Sequence, residues 1–255
     1  GARIKMKRGV FTVDYGESAT VTTLQGISGQ SWGGLYMENT EIDINHARIL
    51  NVKKSSDNSN YTIICYGCPS FNITYSTILP HSSSDSSASG IFITYPEILS
   101  YTPAFNIEND SILVNSSNKY ALNIYNDYSQ ASGTFYIANN VFKSTVGAST
   151  GILLRGLEDV DLNNNEIRDW NVGLDSYSST MGLRGGNQIR STYSSKGLYG
   201  VAGTIFDLSS NAGGYNTLLT NSGNLIDITG SYFKTNNGGN VFVKQDTTAG
   251  YFFEG

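Results

Sequence analysis

The chain has 255 residues, of which 39% are apolar and only 15% are charged. Its formal net charge of −5 is thinly spread, and the one basic run, at residues 3–8, is too narrow for a nucleic-acid-binding surface. No apolar run is long enough to cross a bilayer, so the sequence also excludes insertion into a membrane. The length fits one large domain, and we expect a single domain over residues 1–255.

The composition favours strands and turns over helices. Glycine (28 residues) and tyrosine (17) are abundant, whereas proline (4) is rare. Glycine, asparagine and serine suit turns, and aromatic residues suit the pleated surface of a sheet. We therefore expect an all-β fold.

A short apolar pattern recurs along the chain. It consists of an apolar residue, a second one two residues later, and a third one five residues after that. The two-residue step is the period of a strand with one buried face, whereas the five-residue step requires a bend. The pattern occurs at Ile42, Ile44 and Ile49; Phe71, Ile73 and Ile78; Phe105, Ile107 and Ile112; Phe135, Ile137 and Phe142; Val160, Leu162 and Ile167; and Ile226, Ile228 and Phe233.

Most of the predicted bends fall on residue types that tolerate left-handed backbone angles. They are Asn45-His46, Asn109-Asp110, Asn139-Asn140, Asn164-Asn165 and Gly230-Ser231, and only Tyr75-Ser76 departs from the pattern. We expect the asparagines of this set to be structural corner positions, with Asn140 and Asn165 in left-handed bends. Their side-chain amides are expected to bond to the turns above and below.

The repeat predicts a solenoid. A second short apolar strand precedes many units, for example at residues 34–37, 90–93 and 151–154, so each unit has three short strands. Successive units start 29 residues (42 to 71), 34 (71 to 105), 30 (105 to 135) and 25 (135 to 160) apart. Such unequal spacing is typical of a solenoid, whose loops vary in length without disturbing neighbouring turns. We expect about nine or ten coils, stacked at roughly 4.8 Å.

Two segments carry a resemblance to a known fold. Residues 159–167 (Asp-Val-Asp-Leu-Asn-Asn-Asn-Glu-Ile) resemble the repeat of the pectate-lyase-like superfold, and residues 31–37 (Ser-Trp-Gly-Gly-Leu-Tyr-Met) resemble a coil start in secreted bacterial surface proteins. The resemblance implies a right-handed parallel β-helix and an extracellular or cell-surface location. It implies little about activity, because this superfold includes lyases, hydrolases, adhesins, tailspikes and inert scaffolds.

The sequence offers a weak candidate for a metal site and no catalytic set. Pectate-lyase-like enzymes use a carboxylate cluster for Ca²⁺ and an arginine or lysine base. The best acidic cluster is Glu158, Asp159 and Asp161, but the two aspartates alternate with inward apolar positions and should face solvent. The Gly-His-Gly of the related polygalacturonases is missing. We assign no catalytic residue, and Ca²⁺ is the only cofactor considered.

Tyrosines and cysteines leave further alternatives open. Tyr95, Tyr101, Tyr125 and Tyr128 are candidate platforms for stacking sugars, although aromatic residues of β proteins more often serve packing. Cys65 and Cys68 form one C-x-x-C pair, which fits two inert thiols, a local disulfide in an oxidising compartment, or a metal or redox site.

Two functional hypotheses follow. The first is a non-enzymatic extracellular or cell-surface β-helix with a structural or adhesive role, which binds glycans. The alternative is a polysaccharide lyase or glycoside hydrolase that acts on an acidic polysaccharide.

The ends of the predicted solenoid suggest a partner. Native solenoids cover their terminal strands with a helix or a polar unit, and neither residues 10–13 nor residues 251–255 resemble such a cap. We expect the chain to be a segment of a longer protein or to stack end to end into fibres.

Overall fold

A computed structural model describes most of the chain. The described residues are 2–14, 21–27, 30–53, 60–79, 81, 88–95, 101–115, 119–126, 133–191, 196–208, 215–220, 224–235, 239–244 and 253–254. Over these residues the regular structure consists of β-strands, without an α-helix. Consequently, this part of the chain has no helix that could span a membrane.

The strands follow one another along the whole described chain. They are β1 (Ile4–Val13), β2 (Thr22–Leu24), β3 (Leu35–Asn45), β4 (Ala47–Leu50), β5 (Tyr61–Tyr66), β6 (Ser70–Thr74), β7 (Thr77–Leu79), β8 (Ser89–Tyr95), β9 (Ala104–Glu108), β10 (Ser111–Val114), β11 (Tyr120–Asn126), β12 (Thr134–Ala138), β13 (Val141–Arg155), β14 (Val160–Asn163), β15 (Glu166–Tyr177), β16 (Thr180–Leu183), β17 (Gln188–Ser191), β18 (Lys196–Val201), β19 (Ile205–Asp207), β20 (Thr217–Thr220), β21 (Asn224–Thr229), β22 (Tyr232–Lys234), β23 (Val241–Lys244) and β24 (Phe253–Glu254).

The strands stack into three parallel faces. Face A contains the first half of β1 and β3, then β5, β8, β11, the end of β13, the end of β15, β18, β21 and β24. Face B contains the second half of β1 and β3, then β6, β9, β12, β14, β16, β19 and β22. Face C contains β2, β4, β7, β10, the start of β13, the start of β15, β17, β20 and β23.

This arrangement is a parallel β-solenoid, or β-helix, as the repeat predicts. About seven turns, from β3–β4 to β18–β20, have a neighbouring turn on both sides in all three faces. The interior of the solenoid is therefore slightly shorter than the nine or ten coils expected, with an outer turn at each end.

The core consists of columns of like residues, because the register places inward positions of successive turns opposite each other. On face B, Phe71 pairs with Phe105 and Phe105 with Phe135, and the rings of Phe105 and Phe135 stack with centroids 4.7 Å apart. On face C, Ile112 pairs with Phe142. All of these side chains are buried, so the alternation read in the sequence corresponds to the inner and outer sides of each face.

The corner between faces B and C has two distinct positions. Its first residue has a positive φ: 49° at His46, 51° at Tyr75, 59° at Asn109, 55° at Asn139 and 51° at Asn164. The next residue is buried, as Ser76, Asp110, Asn140 and Asn165 are. The prediction of left-handed bends at Asn140 and Asn165 is therefore wrong, because that conformation belongs to the residue before each of them. Asn45 ends β3 one position before its bend, and Tyr75-Ser76 occupies the corner like the other pairs.

The last predicted repeat unit lies at a different corner. Ile226 and Ile228 belong to face A, Phe233 belongs to face B, and Gly230 lies at the corner between these two faces. The inward positions on either side of a corner are five residues apart at both corners. Met37 and Ile42 show this at the corner between faces A and B, and Ile44 and Ile49 show it at the corner between faces B and C. The spacing alone therefore cannot distinguish one corner from the other.

Polar side chains form a buried ladder along the B–C corner. Its members in successive turns are Ser76, Asp110, Asn140, Asn165, Asn187, Asn216 and Asn240. The Oδ1 atom of each asparagine from Asn165 to Asn240 accepts hydrogen bonds from the backbone N and the Nδ2 of the preceding member. The ladder therefore satisfies buried backbone groups at a corner where the strands end.

Cys65 and Cys68 form a disulfide at the corner between faces A and B. Both residues are buried. Of the three alternatives for this pair, the structure contains the local disulfide.

Candidate functional site

The outer side of face B has a polar row that follows the solenoid axis. Asp43, Asn72, Asn106, Tyr136 and Asp161 occupy the same register position in five successive strands. Each lies between two inward apolar residues, so the alternation of the strand turns it outward. The Nδ2 of Asn72 donates to Oδ1 of Asp43 (2.6 Å), and the Nδ2 of Asn106 donates to Oδ1 of Asn72 (2.9 Å). These hydrogen bonds fix the two amides in one orientation.

A groove of about 440 Å³ lies over the middle of this row. The residues on the outer side of face B that line the groove are Ser70, Asn72, Ala104, Asn106, Thr134 and Tyr136. These residues come from β6, β9 and β12, so the groove crosses three turns. Its lining contains amides, hydroxyls, the ring of Tyr136 and parts of the buried Phe71 and Phe105, and it contains no charged side chain.

Charged groups flank the groove along the same row. The Asp43 carboxylate lies on one side, where it accepts the hydrogen bond from Asn72. On the other side, Nε of Arg184 donates to Oδ1 of Asp161 at 2.7 Å. This ion pair satisfies the Asp161 carboxylate, so the groove is bordered by charges without carrying a net charge of its own.

The groove residues were missed by the sequence analysis, although a signal was present. The central residue of three consecutive units is Asn72, Asn106 and Tyr136, each enclosed by Phe and Ile. Aligning these units at the central position would have predicted a polar column on one outer face.

The tyrosines proposed as sugar platforms are dispersed. Tyr95 is fully buried and offers no ring face to a ligand, and burial raises the pKa of its hydroxyl. Tyr101 is half-buried, and its hydroxyl donates to the Gly67 carbonyl at 2.6 Å. Tyr125 is partly exposed on face A, with Arg155 over its ring. Tyr128 lies outside the described residues.

The acidic cluster at residues 158–161 is not assembled into a metal site. Asp159 is exposed at a bend with φ of 56°, whereas Asp161 is engaged with Arg184 on face B. Within the described ranges, no three His, Cys, Asp or Glu side chains are close enough together to hold a metal ion. The geometry of the described residues therefore does not support the prediction of Ca²⁺ at Glu158, Asp159 and Asp161.

Ionisable residues also gather on the outer side of face A. Asp175, Tyr199 and Asp227 share one register position in three successive strands. Nζ of Lys196 lies 2.5 Å from Oδ2 of Asp227 and 3.8 Å from the centroid of the Tyr199 ring. Burial raises the pKa of the Asp175 carboxyl, and the nearby Arg155 and Lys196 partly oppose this rise.

The fold and the outer faces define a parallel β-helix repeat protein. Comparison with known proteins adds no relative: no protein-family profile, curated protein or solved structure matches the chain. The function must therefore be argued from the faces themselves.

Proposed function

We propose that this protein is a non-enzymatic extracellular or cell-surface β-helix with a structural or adhesive role, and that it binds a neutral glycan along face B. The observation that carries the proposal is the uncharged groove over β6, β9 and β12. Amides and hydroxyls are suited to sugar hydroxyl groups, and the Tyr136 ring can pack against the apolar face of a sugar. The solenoid supplies the rigid support on which these side chains are aligned.

The geometry of the row favours an extended ligand. Asn72, Asn106 and Tyr136 recur once per turn, and adjacent strands are roughly 4.8 Å apart. A linear glycan that lies along the axis would therefore meet a polar or aromatic side chain at each turn. The hydrogen bonds that fix the Asn72 and Asn106 amides reduce the conformational entropy lost on binding.

The disulfide supports the extracellular part of the proposal. Disulfides persist in oxidising environments and are rare in reducing ones, and Cys65 and Cys68 are paired in the structure. An extracellular β-helix with few charges is also consistent with a role in display or adhesion rather than in catalysis.

Replacement of Tyr136 by alanine should weaken glycan binding. Screening the protein against neutral and acidic glycans, followed by calorimetry with the best neutral oligosaccharide, should show at least about ten-fold weaker binding for Tyr136→Ala, equivalent to about 1.4 kcal/mol. The control is Tyr232→Ala, because Tyr232 is 65% exposed on a distant strand of face B. Equal affinities of the wild type and Tyr136→Ala would reject the groove as the site, and release of new reducing or unsaturated ends would reject the non-enzymatic role.

The structural role includes contacts at the outermost described turns. Partly exposed apolar residues extend the core columns there: Met6, Phe11 and Leu24 in the first turn, and Phe233 and Phe242 in the last. Val10 is 60% exposed on β1. We propose that another β-structured unit, from a neighbouring segment or a second copy, packs on these turns.

Sedimentation velocity and electron microscopy over a range of concentrations test stacking between copies. If copies stack, the wild type should form end-to-end assemblies, and Val10→Lys should shift the material towards monomers, because a lysine on the terminal strand β1 disfavours pairing along its open edge. Arg48→Glu on β4 of face C, an exposed position one strand in from the terminal strand β2, serves as the control for a change of charge. A monomer at every concentration would exclude stacking between copies.

A further inference from the structure

Arg155 lies between two tyrosine rings on the outer side of face A. It ends β13, and the register places Tyr125 opposite it in the preceding turn and Tyr177 in the following turn. The Arg155 Cζ lies 5.8 Å from the centroid of the Tyr125 ring and 6.0 Å from that of Tyr177. The guanidinium is therefore held between two rings, which restricts its orientation.

No described residue accepts a hydrogen bond from the guanidinium of Arg155. Within the described part of the chain, Arg155 makes no ion pair, whereas Arg168 pairs with Glu166 and Arg184 pairs with Asp161. Asp175 is half-buried, and burial raises the pKa of its carboxyl; Arg155 is close enough to oppose this rise, but the two side chains do not form an ion pair. Arg155 itself is exposed, and Tyr177 is 50% exposed beside it.

We propose that Arg155, oriented by Tyr125 and Tyr177, binds a carboxylate carried by a glycan. The inference rests on the proposed glycan-binding function and adds a second site on a different face. A guanidinium presents its donors in a planar fork that fits the two oxygens of a carboxylate. The exposed part of Tyr177 supplies apolar surface for the sugar ring that carries the carboxylate.

The negative net charge of the chain means that an anionic glycan needs a local, positively charged site. At a net charge of −5, the molecule as a whole repels polyanions, so long-range electrostatics oppose their binding. Binding of an anionic glycan would therefore require a local site. Arg155 fits that requirement because its charge is exposed and not paired with a carboxylate of the described residues.

Three polymers with the same backbone test the site: dextran, carboxymethyl dextran and dextran sulfate. Calorimetry at low salt should show at least about ten-fold tighter binding of carboxymethyl dextran than of dextran. Arg155→Gln should remove this difference, and Arg155→Lys should retain only part of it because the fork is lost. Arg48→Gln, which removes an exposed charge from face C, should behave like the wild type.

Each outcome is decisive once thermal unfolding shows that the variants fold. Equal binding of the wild type and Arg155→Gln, or an equal loss in Arg48→Gln, would overturn the site. A preference for dextran sulfate over carboxymethyl dextran would overturn the assignment to a carboxylate. The Tyr136→Ala variant separates the two proposals, because it should lose binding of the neutral glycan on face B and keep the Arg155-dependent preference for carboxymethyl dextran.

Discussion

Replacing Asp110 by asparagine should stabilise the protein at neutral pH by about 2–4 kcal/mol. Asp110 is the one acid in a buried ladder whose later members are asparagines. Its Oδ1 accepts a hydrogen bond from the Ser76 backbone N at 2.6 Å, but its Oδ2 is buried without a hydrogen-bond partner. An amide at this position would supply two donors, as the Nδ2 of Asn140 does toward Asn165 and the Ile107 carbonyl.

The same substitution should change the dependence of stability on pH. Burial raises the pKa of Asp110 from 3.8 to about 8. Between these values the folded chain holds one more proton than the unfolded chain, so the free energy of unfolding falls as the pH rises. For one proton, the slope reaches about 1.4 kcal/mol per pH unit. The stabilisation that comes from the proton bound by Asp110 in the folded chain is complete below pH 3.8 and is lost as the pH approaches 8.

Urea unfolding at pH 5, 6, 7 and 8 measures both effects. We expect the wild type to lose about 2–3 kcal/mol between pH 5 and 7, and Asp110→Asn to lose much less. Asp159→Asn makes the same change at an exposed bend, where an effect of less than about 0.5 kcal/mol is expected. An Asp110→Asn protein that is less stable than the wild type at pH 7 would show that the buried Asp110 carboxyl does not destabilise the ladder.

Replacing Asn165 by leucine should destabilise the protein by about 2–4 kcal/mol. The Oδ1 of Asn165 accepts from the backbone N (3.2 Å) and the Nδ2 (3.1 Å) of Asn140. Its Nδ2 donates to the Ile137 carbonyl (2.8 Å) and to Oδ1 of Asn187 (3.0 Å). Leucine has a similar shape but removes these four hydrogen bonds, and it leaves the backbone N of Asn140 without its side-chain acceptor in a buried corner.

Asn164 provides a matched control one residue away. It has φ of 51° and donates one exposed hydrogen bond, 2.8 Å long, to Oδ1 of Asn139. Asn164→Gly keeps the left-handed conformation accessible and should cost less than about 1 kcal/mol. Chemical unfolding of both variants measures how much stability each substitution removes. A loss at Asn164→Gly as large as that at Asn165→Leu would show that the buried amide ladder contributes no more to stability than an exposed side chain of the corner.

Much of the fold was predictable because it depends on the spacing of apolar residues that are close together in the sequence. The two-residue step of Phe71 and Ile73, or of Phe105 and Ile107, identifies strands with one buried side. The same local pattern could not assign Ile226 and Ile228 to their face, because two corners of the solenoid share the five-residue step. Nor could it identify Ser76 as part of the buried ladder, because serine at a bend is also common at exposed turns.

The candidate sites were less predictable than the fold. Asn72, Asn106 and Tyr136 could have been aligned from three adjacent units of similar form. Arg155 and its two tyrosines could not, because a whole turn separates each of them from the next, and the turn from Tyr125 to Arg155 is longer than the turn from Arg155 to Tyr177. Pairing across turns depends on how each loop closes, and this is a non-local property of the chain.

By itself, the sequence determined that this chain forms strands with buried and exposed sides, separated by sharp bends and arranged as a repeating solenoid. Those features follow from side-chain alternation and from residues suited to positive φ, such as Asn139 and Asn164. The tertiary structure alone decided which turns lie side by side. It thereby decided that Asp110 lies in an amide ladder, that the groove crosses three turns, and that Arg155 lies between two tyrosines. The physical reason is that the hydrogen-bonded register between turns, rather than proximity in the sequence, brings these side chains together.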